Sequence, residues 1–74
     1  MESTIELLRR ARDMIDREFA NESLNLDRLA EVALMSRSHF VRSFATQYET
    51  TPGAYLSWRR IERAQDLLRS PISQ

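Results

Sequence analysis

Apolar residues recur every three or four positions along most of the chain, and no stretch alternates apolar and polar residues at a period of two. A sheet has nothing to be built from, so the pattern predicts an all-α chain of four helices. The first opens at Ser3 or Thr4, because Ser3 and Glu6 stand at capping-box spacing. Its apolar set, Ile5, Leu8, Ala11, Ile15 and Phe19, carries it to about Ala20. Asn21-Glu22-Ser23 breaks the pattern. Asn25 then caps a short second helix from about Leu26 to Ala33, with Leu24 and Leu29 at the two positions of a hydrophobic staple.

Ser36 is a fresh cap, which leaves only Leu34 and Met35 to link the second helix to a third running from about Arg37 to Gln47. So short a link forces a sharp crossing. On the third helix Phe40 and Phe44 point the same way, whereas Arg42 falls roughly 200° from Phe40 and faces away from the core. Ser38, His39, Ala45 and Thr46 flank Arg42, and Val41 lies nearer the edge, so the outward surface is small and polar enough to enter a groove. Thr50-Thr51-Pro52 supplies a cap and a proline for the first turn of a fourth helix, which continues to about Arg69 before Pro71 disfavours helix at Ser70. Its roughly 18 residues span about 27 Å, long for so small a domain. Ala54, Trp58, Ile61, Ala64 and Leu68 form one stripe, assigned here to the core together with Tyr55. Leu56 and Leu67 fall on another side and await a partner. Ser70 to Gln74 begin something apolar that the chain does not finish, as in an abbreviated module.

Composition narrows the class. Seventy-four residues without cysteine make one small domain with no disulfide framework or thiolate metal site, and a single His cannot make a His-rich one. At this size about 60% of the unfolded surface is buried on folding, so stability is thin and a two-domain enzyme is excluded. Apolar runs are too short for a membrane span, and Met-Glu-Ser-Thr lacks the plan of a secretory signal, which makes the cytoplasm the default. The net charge of zero hides a division. Residues 1–35 set five arginines against eight carboxylates, a balance of −3, while residues 36–74 set six against three, a balance of +3. The second half suits phosphate. Every basic residue is Arg, whose fork fits phosphate or guanine.

Four segments now stand in order: Leu26-Asp27-x-Leu29-Ala30, Ser36-Arg37-Ser38-His39-Phe40-x-Arg42-x-Phe44, Thr51-Pro52-x-x-Tyr55-Leu56, and Arg60-Ile61-x-x-Ala64-x-x-Leu67-Leu68. Together they resemble the DNA-binding domain of the AraC/XylS transcription regulators, from its first helix through its linker helix. The resemblance implies a helix-turn-helix whose second helix enters the major groove of double-stranded DNA. Members of that family carry two such units joined by a long helix, so residues 1–74 correspond to the first unit plus the linker. Two positions depart from the family pattern: Leu34, in the turn, and Glu49, after the third helix, both stand where Gly is common. A retained left-handed backbone would cost each about 1 to 2 kcal/mol; the alternative is a reshaped turn.

The resemblance carries base-facing roles onto Ser38, Val41 and Arg42 and phosphate-side roles onto Ser36 and Arg37. Arg42 has the reach and the fork for guanine O6 and N7, worth about 1 to 3 kcal/mol of discrimination, against the plainer reading of a solvated arginine. Ser36 serves as a cap, and a helix N-terminus offers amides to phosphate as well. Arg37 opposes the helix dipole by a few tenths of a kcal/mol unless an anion is near. Val41 reads equally as a contact to a thymine methyl or as a rim residue against Met35 or the first helix. His39 reads as a DNA contact or an exposed histidine; no carboxylate orients it and no glycine-rich elbow presents a serine, so the chain is not expected to be an enzyme. Arg59 and Arg63 are expected on the solvated side of the linker helix, paired with Glu62 and Asp66. The expectation is therefore a sequence-specific DNA-binding module with no cofactor or metal. The competing one is a helical interaction or dimerisation module, with a second copy or a second helix-turn-helix unit docking through Leu56 and Leu67.

Overall fold

Four side-chain caps set the four helices of the fold. In the computed structural model, which describes residues 3–69, the helices are α1 (Thr4–Glu18), α2 (Leu26–Val32), α3 (Arg37–Tyr48) and α4 (Pro52–Arg69), with no strand among the described residues. At α1 the box is reciprocal: the Glu6 N–H donates to Ser3 Oγ at 3.2 Å and the Ser3 N–H donates to Glu6 Oε1 at 2.9 Å. The backbone hydrogen bond from Ser3, followed by the one to its side chain, lowers the pKa of the Glu6 carboxyl from its ordinary value. Asn25 Oδ1 accepts from the Arg28 N–H at 2.9 Å, Ser36 Oγ from the His39 N–H at 3.2 Å, and Thr51 Oγ1 from the Ala54 N–H at 3.2 Å. Boundaries differ from the sequence pattern by two residues or fewer, at the C-terminal ends, where no capping side chain marks the stop. The apolar start read at residues 70–74 lies outside the described residues.

Leu8, Ala11 and Ile15 of α1 bury one face against Leu29 and Ala30 of α2 and Phe40 and Phe44 of α3. Leu24 and Leu29 are both buried, as a staple at the start of α2 requires. The three helices form a small core, and α4 leaves it: the molecule measures 49 × 23 × 20 Å, with a radius of gyration of 13.9 Å. A compact chain of this length would have about 11 Å.

The face that α4 turns to the core is the opposite of the one its apolar stripe predicts. Leu56 is buried at 6% exposure beside buried Pro52 and half-buried Tyr55, so it is not awaiting a partner. Trp58, Ile61 and Leu68 are exposed at 54%, 57% and 87%, and Ala54 and Ala64 are exposed with them. Arginines explain the reversal. Arg59 lies half-buried against α1, its Nε 3.5 Å from Asp16 Oδ1, its Nη1 3.0 Å from Glu62 Oε1 and its guanidinium 5.0 Å from the centre of the Phe19 ring. Arg59 is therefore not a solvated outer residue, although it keeps the expected pairing with Glu62; Arg63 is exposed as expected, and with Phe19, Ala20 and Leu67 it lines a shallow groove beside Arg59. Arg60 donates from Nε to the Phe19 carbonyl at 2.7 Å and from Nη2 to the carbonyls of Asn21 and Leu24 at 3.1 and 3.4 Å. Those acceptors lie in the connection between α1 and α2, where carbonyls are outside the helical ladders. Long arginine stems cover apolar surface while their heads satisfy the backbone, so a face that looks polar in sequence packs inward.

Candidate nucleic-acid interface

The turn between α2 and α3 is closed by its backbone. The Leu34 N–H donates to the Glu31 carbonyl and the Met35 N–H to the Ala30 carbonyl, both at 3.0 Å, the paired bonds of a Schellman termination. This termination needs a left-handed residue, and Leu34 supplies it at φ 57° although it is not glycine. Glu49 does the same after α3 at φ 61°, its N–H donating to the Ala45 carbonyl at 2.8 Å. Both positions thus keep the left-handed backbone rather than a reshaped turn.

The turn delivers the chain to Ser36, and α3 is then fixed by its aromatic side. Phe40 and Phe44 are fully buried, with ring centroids 5.7 Å apart in an edge-on arrangement. Phe44 also lies 4.7 Å from the Tyr48 ring and 6.1 Å from that of Tyr55, which ties α3 to α4. With that side buried, Ser36, Arg37, Ser38, His39 and Arg42 are exposed, all on the N-terminal half of α3 or its cap. Val41 and Ala45 are half-buried at the margin of this surface, and Thr46 is exposed, its hydroxyl donating to the Arg42 carbonyl at 3.0 Å. Arg42 also borders a recess lined by Thr4, Ile5 and Leu8 of α1 and by Ser43, Thr46 and Gln47.

Asp27 is a participant that no local sequence pattern marks. Arg37 Nη1 lies 3.4 Å from Asp27 Oδ1, both side chains being largely exposed, so the anion that offsets its unfavourable place at a helix N-terminus comes from the first turn of α2. The two residues are ten positions apart, and only the helix crossing brings them together. Along α3 itself there is no acidic residue, which leaves Arg37 and Arg42 as its charges.

Among the described residues no group of His, Asp and Glu could hold a metal ion, and no helix is long and apolar enough to cross a membrane. Comparison with curated proteins and with solved structures gives no match. The profile described as bacterial regulatory helix-turn-helix proteins, AraC family, matches residues 17–57, more than half of the chain, from the last turn of α1 through the start of α4. With α2, its left-handed turn and the phenylalanine-anchored α3 all inside that match, the chain belongs to the AraC family of bacterial regulatory helix-turn-helix proteins.

Proposed function

We propose that this chain is a sequence-specific DNA-binding module of a transcription regulator, with α3 lying in the major groove. The observation that carries the reading is the placement of Arg42, exposed on a helix whose Phe40 and Phe44 are fully buried. A guanidinium held out from a rigid rod pairs with guanine O6 and N7. Ser38 and Val41 take the neighbouring base-facing places, Val41 toward a thymine methyl, and His39 lies beside them. Ser36 and Arg37 meet phosphate, where the α3 amides and the Arg37 charge act together. The +3 balance of residues 36–74 supports the same orientation.

In this reading residues 1–74 are the first of two helix-turn-helix units, with α4 as the linker. Its 18 residues span about 27 Å, commensurate with readers one DNA turn, ~34 Å, apart. A single unit lacks the effective-concentration gain of tethering, up to about 10² to 10⁴, so its affinity is micromolar or weaker. The site requires no cofactor or catalysis, and the module works where the DNA is, in the cytoplasm. Selection from randomised duplexes, followed by salt titration, tests the reading. Arg42→Ala relaxes preference at one base pair, whereas Arg37→Ala weakens all sequences alike and lowers the salt slope by about one. Two variants that bind as the parent does would place the groove contact elsewhere.

A further inference from the structure

The chain holds one histidine, and the fold places it on α3. His39 stands in the first turn, where its backbone N–H donates to Ser36 Oγ at 3.2 Å and its side chain is exposed. Among the described residues nothing hydrogen-bonds to its ring or pairs with it. The charged groups around it are Arg37, two residues before, and Arg42, three after; α3 has no carboxylate. The carboxylate that α2 brings to this turn, Asp27, is engaged by Arg37 at 3.4 Å.

On the helical wheel His39 lies about 60° to one side of Arg42 and Arg37 about 140° to the other. The two therefore straddle the base-facing residue and face opposite walls of a groove that holds α3, and each wall is a row of phosphates. A cation in the first turn opposes the helix dipole, and a phosphate reverses that.

We propose that His39 is a phosphate contact that acts only when protonated, on the wall opposite Arg37, so that DNA affinity rises as pH falls from 8 to about 5.5. This rests on α3 lying in the major groove. Histidine is the side chain that ordinarily changes charge in this window, whereas carboxylates and guanidiniums keep one charge across it. Glu6 is lowered and Tyr55 raised from their ordinary values, both away from it. The sign follows from linkage: the protonated form binds better, so the gain is present at low pH and lost as pH rises toward 8.

One more neutralised phosphate, with a salt slope of about −0.9, is worth about fivefold in affinity at 0.15 M salt and about fifteenfold at 0.05 M. The 74-residue chain, titrated against fluorescent duplexes carrying the selected site or a scrambled sequence, tests this. Between pH 8 and 5.5 the Kd should fall by those factors, equally on both duplexes, and the salt slope should steepen by about 0.9. His39→Gln, with unchanged helical circular dichroism, should lose the pH dependence, and His39→Lys should bind at pH 8 as the parent does at 5.5. The α-amino group also titrates in this window, but parent and variants share it. Arg37→Ala should bind more weakly and keep the whole pH gain, since it faces the other wall. In proton NMR the signals of the single ring should titrate about 0.7 pH higher with DNA bound, the fivefold gain expressed as proton linkage.

A parent whose Kd is the same at both pH values, or a gain that persists in His39→Gln, overturns the inference. A gain confined to the selected duplex overturns the phosphate contact in favour of a base edge. Failure of the groove reading shows separately, as Arg37→Ala and Arg42→Ala binding like the parent at pH 8, where His39 contributes no charge.

Discussion

The Tyr55 hydroxyl donates a 2.6 Å hydrogen bond to Asp16 Oδ1, joining the first turn of α4 to α1 across 39 residues of sequence. Arg59 reaches the same carboxylate oxygen at 3.5 Å, so the residue that orients Asp16 and the one that neutralises it both come from α4. This attachment works together with the burial of Pro52 and Leu56 to set where the linker helix leaves the core. Tyr55→Phe keeps the ring contacts and removes the donor to a charged acceptor, and should cost about 1 to 2 kcal/mol in urea unfolding at pH 7.

The same bond makes stability depend on alkaline pH. Burial first, then the hydrogen bond to Asp16 and the negative charge of Asp16, raise the Tyr55 pKa above its ordinary 10.0. A raised folded-state pKa means that the native protein holds this proton where the unfolded chain has released it. Its contribution is fully present below pH 10 and lost as pH rises from there through the folded pKa. Wild-type stability should fall more steeply above pH 10 than that of Tyr55→Phe. Parallel curves for the two proteins would remove Tyr55 as the cause.

Leu34 and Glu49 hold φ values of 57° and 61°, conformations that cost a side chain about 1 to 2 kcal/mol and glycine almost nothing. Glycine returns about 0.5 to 1 kcal/mol of this through the greater freedom of the unfolded chain. Leu34→Gly and Glu49→Gly should each therefore stabilise the protein by about 0.5 to 1 kcal/mol. Neither removes buried surface, Leu34 being 77% exposed. The midpoint of thermal unfolding checks this, and a decrease in either variant would show that the side chain contributes more than its backbone costs.

What could be read from the chain beforehand depended on how local its cause was. Caps act across three residues, so Ser3, Asn25, Ser36 and Thr51 marked four helix starts, and Phe40 with Phe44 oriented α3 and so exposed Arg42. The core side of α4 was not local. Two apolar sets lie on its opposite faces, and the larger one, with Trp58 and Ile61, is outside. What decided between them was the set of partners offered by α1 and the connection that follows it: Asp16, the Phe19 ring and the carbonyls of Phe19, Asn21 and Leu24, which take Arg59 and Arg60. Helical periodicity ranks hydrophobicity and is blind to such partners. The Arg37–Asp27 contact was hidden for the same reason, since it depends on the crossing of α2 and α3.

Arg60 tests the inward role of these arginines directly. Its fork satisfies the carbonyls of Phe19, Asn21 and Leu24 from one guanidinium, a geometry an ammonium cannot reproduce. Arg60→Met keeps the stem and should lose about 1 kcal/mol, since the site is exposed enough for water to replace part of the bonding. Arg60→Lys should recover less than half of that loss. Full recovery by lysine would mean that charge near the α1 terminus, rather than the three directed bonds, is what matters.

The Asp27–Arg37 pair predicts how affinity can be raised without altering specificity. A phosphate approaching the N-terminus of α3 competes with Asp27 for the Arg37 guanidinium, 3.4 Å away, and meets the repulsion of that carboxylate as well. Asp27→Asn removes both obstacles, at a cost of a few tenths of a kcal/mol for the lost negative charge in the first turn of α2. As an exposed pair it contributes at most about 1 kcal/mol, so DNA affinity should rise about two- to fivefold, equally for specific and nonspecific duplexes. The salt dependence should steepen as Arg37 commits to phosphate, and Asp27→Asn combined with Arg37→Ala should bind no better than Arg37→Ala alone. A double variant that keeps the full gain would show that Asp27 acts by long-range repulsion of DNA and not by holding Arg37.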